Sequence, residues 1–175
     1  MKQLRLLAAT VLLSLPLASP AKTGEANSKA KNRDMAQEAL LVELTGKDLS
    51  KESDITLYAE MVSAYDGNDE IALKSRLQSL LSRFPQSAYA DNALFLAGRM
   101  AVDNANYAQA IKYFSQIEKQ YPRSNKVAAA KYAKAMTYKR MNLPEFSRKA
   151  LVEVRSKYPG SPESFRADAE LKVLK

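Results

Sequence analysis

Three corners of one design punctuate this chain: Phe84-Pro85-Gln86-Ser87, Tyr121-Pro122-Arg123-Ser124 and Tyr158-Pro159-Gly160-Ser161. Their prolines stand 37 residues apart in both intervals. A fixed period of this size dictates a stack of like units, because one such unit cannot bury its apolar face alone. The period extends beyond the prolines. Met61, Gly98 and Ala135 share one offset, and Leu73, Ala110 and Ser147 a second. Leu77, Phe114 and Leu151 share a third, and Leu80, Ile117 and Val154 a fourth. Small residues at two offsets and bulky ones at the others form a packing code, since a small side chain lets a neighbouring helix approach.

Each period holds two helical stretches. In the middle one, residues 88–103 and 106–120 carry apolar residues at helical spacing: Leu94, Ala97, Gly98 and Ala101, then Ala110, Phe114 and Ile117. Turn-forming residues separate the two stretches in every period: Asp66-Gly67-Asn68-Asp69, Asp103-Asn104-Ala105-Asn106 and Asn142-Leu143-Pro144. The corner proline lacks an N–H and ends the second helix, and the aromatic before it packs back onto its own hairpin. The corner serine is expected to cap the next helix, most clearly at Ser161-Pro162. The expected fold is all-α: a right-handed solenoid of about three helical hairpins over residues 50–175. A final helix from about Pro162 to Leu174 closes it, with Phe165 and Leu171 inward and Arg166, Glu170 and Lys172 outward.

The first residues read as an export signal. Lys2 and Arg5 precede an uncharged apolar run, Leu6 to Leu17, and Ser19-Pro20-Ala21 supplies small residues for cleavage after Ala21. The run is shorter than the roughly 20 residues that span a bilayer. Residues 22–49 are expected to form a flexible leader with one short helix, about Arg33 to Thr45. The expected location is periplasmic. With no cysteine in the chain, no lipid anchor on sulfur is available.

Gly98, Tyr107, Ala110, Phe114 and Pro122 match the tetratricopeptide (TPR) pattern, with a period three residues longer than the usual 34. The stretch YADNALFLAGRMAVDNANYAQAIKYFSQIEKQYPRS resembles the C-terminal domain of the Tol–Pal-associated YbgF (CpoB) family, and also the BamD-type TPR group. The first resemblance implies a periplasmic adaptor or scaffold in envelope maintenance and division. The second implies outer-membrane protein assembly, although BamD relatives are lipidated on a cysteine. Two departures fall in the third repeat. Lys131 and Lys134 replace Leu94 and Ala97, so that repeat either packs less well or snorkels its lysine stems. Pro144 stands where the middle repeat has Tyr107.

Such an array binds along the wall made by its first helices. Tyr58, Phe95 and Tyr132 recur there at the period. Asn92, Phe95, Arg99 and Asp103 form a stripe distinct from the packing stripe. Equivalent rungs bring in Val62 and Met136, Tyr65 and Lys139, and Arg140. Together these residues are the candidate groove for a protein or peptide. A second placement fits the spacing equally: the three rings fill space between successive first helices.

Charge is uneven, with net −2 over residues 47–83, zero over 84–120 and +8 over 121–157. The basic repeat is either a surface that attracts an acidic protein, peptidoglycan or another anionic envelope surface, or a solvated face without a partner. Export argues against nucleic acid. With no histidine or cysteine, neither a Ser-His-Asp nor a Cys-His arrangement can form, and zinc has no nitrogen or sulfur ligand. The carboxylate pairs Asp69-Glu70 and Glu163 with Asp168 read as helix caps. The expectation is a protein without catalytic residues, metal, cofactor or small-molecule substrate.

Overall fold

The computed structural model describes residues 52–174. The expected signal peptide and leader lie outside them. Seven helices occur among the described residues, with no strand. They are α1 (Asp54–Asp66), α2 (Glu70–Arg83), α3 (Ala90–Asp103), α4 (Tyr107–Gln120), α5 (Lys126–Arg140), α6 (Pro144–Lys157) and α7 (Pro162–Val173). Pairs α1–α2, α3–α4 and α5–α6 are the three hairpins.

The three hairpin turns share one backbone solution. Asn68, Ala105 and Asn142 each adopt positive φ, at 53°, 56° and 57°. The amide of the following residue reaches back five positions: Asp69 to Ala64, Asn106 to Ala101 and Leu143 to Tyr138. This Schellman closure satisfies carbonyls that the helix end would otherwise leave free. The second helices then start on Asp69 and Asn106, whose side chains accept from the amides of Ala72 and Gln109, or on Pro144 at the first position of α6.

At the corners, Phe84, Tyr121 and Tyr158 are the C-caps of α2, α4 and α6. The Tyr121 hydroxyl donates to the Pro85 carbonyl at 3.0 Å, so this aromatic also ties its corner to the preceding one. The corner serines correct the sequence expectation. Only Ser161 caps a helix in the expected way, accepting from the Ser164 amide. Ser87 and Ser124 accept from the amides of Tyr89 and Lys126, two residues on, and the helices begin only after that turn. Their hydroxyls donate to the preceding hairpin, Ser87 to Asp54 at 2.7 Å and Ser124 to Asp91. The serine is a latch between repeats.

All twelve periodic packing positions are buried. Burying a Leu, Phe or Val side chain contributes about 1.5–3 kcal/mol, so these rows carry much of the fold. The core is nonetheless in two parts. One cluster runs from Leu57 to Ala130, and a second holds Ala135, Leu151, Val154 and Ala167. Lys131 and Lys134 stand at the break. Their stems lie in the interior and their ammonium groups meet Glu118, with Lys131 also 2.7 Å from Glu153. An ion cluster thus replaces the Leu94 and Ala97 packing of the middle repeat.

Each first helix packs close against the next, α1 with α3, α3 with α5 and α5 with α7, whereas among the described residues no two second helices approach as closely backbone to backbone. The array therefore closes up along its first helices and splays along its second. This is a TPR-like hairpin solenoid whose inner wall is α1, α3, α5 and α7. On α7 the expected phase is corrected: Ser164 and Ala167 are buried, while Phe165 is 67% exposed. Helix α7 meets α6 through the 164, 167, 171 stripe, and Phe165 falls about 100° round from Ser164.

Candidate partner-binding wall

The inner face of α1 carries Tyr58, Val62 and Tyr65, one to two turns apart. Tyr58 stacks on Tyr89, with ring centroids 5.2 Å apart and planes at 17°. The Tyr65 hydroxyl donates to Asp103 at 2.8 Å, and the Arg99 guanidinium lies 5.0 Å over the Tyr65 ring. Two contacts thus join the inner faces of α1 and α3. On α3, Phe95 packs against Phe114 at 5.6 Å, and Lys126 stands 5.9 Å above the same ring.

The three periodic rings are neither solvent-exposed nor sealed in. Tyr58 and Phe95 are half-buried against the larger core cluster, and Tyr132 against the smaller. Burial raises the Tyr58 and Tyr132 hydroxyls above their ordinary range, the first aided by Asp91 and the second by Glu170 against Arg166 and Lys139. Burial and the bond to Asp103 raise Tyr65 as well. These hydroxyls stay protonated near neutral pH and serve as hydrogen-bond donors, not as bases.

Between α3, α5 and the start of α7 lies a cleft of about 320 Å³. Six of the candidate groove residues meet there: Phe95, Arg99, Asp103, Tyr132, Met136 and Arg140. Five do not. Tyr58, Val62 and Tyr65 sit on α1. Asn92 has its amide 3.2 Å from Asp91, and Lys139 is held by Glu170 at 2.6 Å. The cleft also takes in Glu163, which the sequence reads as a helix cap, and Arg166, which it places on the outer side of the last helix; the structure turns Arg166 into the cleft. Arg166 stands one period after Ala129 and two after Asn92. Extending the inner-wall rows into the last helix finds it.

The arrangement offers an apolar floor edged by guanidinium groups and two carboxylates. Among the described residues no group of three or more acidic side chains is placed to hold a metal ion. What the geometry can do is grip a chain segment.

A tetratricopeptide-repeat family model matches residues 92–124, from the first turn of α3 to the serine of the next corner. No curated protein matches the sequence.

Proposed function

We propose that this chain is a non-catalytic adaptor that holds a segment of a partner polypeptide along the inner wall of its first helices. The observation carrying this reading is the cleft between α3, α5 and α7, open to solvent, where an apolar floor faces the same space as arginines that no ion pair holds among the described residues. The tetratricopeptide match over residues 92–124 supports it, since repeats of this kind suggest protein–protein interaction. The export-type stretch up to Ala21 and the resemblance to the YbgF group extend the proposal. The adaptor works in the periplasm without a lipid anchor, in envelope maintenance or division linked to Tol–Pal.

The test is capture from periplasmic extract by tagged wild-type protein, by Met136→Glu and by Val152→Glu. Met136 lines the cleft, whereas Val152 is 41% exposed on a second helix. A specific partner should be lost with Met136→Glu and kept with Val152→Glu. Equal capture by all three proteins would move the binding face off the inner wall. Fractionation that left the chain in the cytoplasm would overturn the proposed location.

An anionic-surface reading draws on the basic third repeat, and the structure narrows what that repeat can offer. Lys131, Lys134, Lys139, Arg155 and Lys157 already face carboxylates. Half of its ten cations are therefore occupied within the fold.

A further inference from the structure

Two sets of cations contrast in what they face, while others, such as Lys112, Lys119, Arg123 and Lys149, belong to neither. One set is internally neutralised: Glu118, Glu153, Glu170 and Asp168 take up Lys131, Lys134, Lys139, Arg155 and Lys157. The other set lines the cleft. Arg99 on α3, Arg140 on α5 and Arg166 on α7 are exposed, and among the described residues no ion pair holds any of them. Lys126 adds a fourth cation above Phe95. The opposing carboxylates are Asp103, which already receives the Tyr65 hydroxyl, and Glu163. Further along the same wall, α1 supplies no cation. Ile55 and Val62 are exposed there, at 55% and 37%, beside the half-buried Tyr58 and Tyr65.

We infer that the segment gripped by this wall is an acidic peptide with an apolar anchor, its carboxylates taken by Arg99, Arg140 and Arg166 and its anchor seated on Phe95, Tyr132 and Met136. The inference rests on the inner wall being the partner-binding face. The selection is physical. A neutral apolar segment covering the cleft would strip water from three guanidinium groups and leave them without acceptors. A basic segment would set like charges together. An acidic one supplies acceptors that arginine's planar fork can bind two at a time, while the floor takes the apolar side chain.

Fluorescence anisotropy on the purified full chain tests this. The probes are short labelled peptides on one scaffold, a Phe-Leu pair flanked by Glu, by Gln or by Lys. The Glu probe should bind the wild type about tenfold tighter than the Gln probe, a margin two exposed charge pairs can supply. That margin should shrink as salt rises. In the double variant Arg140→Gln/Arg166→Gln the preference for the Glu probe over the Gln probe should shrink severalfold, with helical circular dichroism unchanged. Equal binding of Glu and Gln probes to the wild type would overturn the acidic preference and leave the groove reading standing, as would preference for the Lys probe. No binding of any probe would overturn both. Displacement of the Glu probe by dextran sulfate or anionic vesicles as readily as by unlabelled peptide would show a general anion surface and overturn the inference.

Discussion

Gly98 and Phe114 pack so closely that a β-carbon on Gly98 would overlap the nearest carbon of the Phe114 ring, with two further ring carbons at 2.8 and 2.9 Å. The ring is fully buried and also meets Phe95, with ring centroids 5.6 Å apart. The contact ties the floor of the cleft to the packing of the hairpin beneath it. Phe95 and Phe114 both line the cleft, and the missing β-carbon makes room for the Phe114 ring.

Gly98→Ala should therefore destabilise the fold, although alanine is the better helix former by about 1 kcal/mol. Overpacking a filled site costs about 1–3 kcal/mol, and the close approaches fall on ring carbons of a fully buried side chain. Urea denaturation should show a net loss of up to about 2 kcal/mol. In a Phe114→Leu background the same change should be neutral or stabilising, because the two nearest ring carbons are gone.

Ala105 holds the left-handed position that Asn68 and Asn142 hold in the other two turns. A β-carbon in that region costs about 1–2 kcal/mol, and asparagine tolerates it better. Ala105→Asn should stabilise the protein by about 0.5–1 kcal/mol in the same denaturation assay, without altering partner capture.

Ser147 occupies the small-residue offset of Ala110, fully buried, and its hydroxyl meets no hydrogen-bond partner among the described residues. Removing a buried, unsatisfied polar group returns its desolvation cost, about 1 kcal/mol here. Ser147→Ala should raise the thermal midpoint. A drop would show that the hydroxyl has a partner after all.

Glu153 sets the acid sensitivity of the third repeat. Hydrogen bonds from Lys131 and Lys157 lower its carboxyl from 4.5 to about 2. Lys131 is raised: burial pushes it down, but Glu118 and Glu153 outweigh that. A depressed carboxyl stabilises the fold above its unfolded value, and the contribution disappears as pH falls from about 4.5 towards 2. Thermal midpoints followed through that window should fall more steeply for the wild type than for Glu153→Gln. Because the Glu153 side chain is 40% exposed, added salt should flatten the difference.

Periodicity carried most of the fold. The twelve packing positions, the hairpin turns and the helix ends at Phe84, Tyr121 and Tyr158 could be read because each recurs at the same interval and each has a local cause. What stayed hidden involved partners outside that bookkeeping. Lys131 and Lys134 recur at packing offsets, but Glu118 and Glu153, which hold them, sit on second helices at unrelated offsets. Asp54 and Asp91, which receive the corner serines, do recur at the period, and the signal was available. Phe165 was misplaced because α7 lacks a hairpin partner to fix its phase. On the wall, spacing alone left the rings between groove and core. The structure leaves them half-buried, with Phe95 and Tyr132 also lining the cleft.

The most direct test of the account is site-specific photocrosslinking in living cells, with a benzophenone side chain placed at Met136 or at Val152. The account predicts a discrete adduct with a partner polypeptide from position 136 and none from position 152. The same adduct from 152 alone, or from both positions with equal yield, would contradict the claim that the first helices form the binding wall.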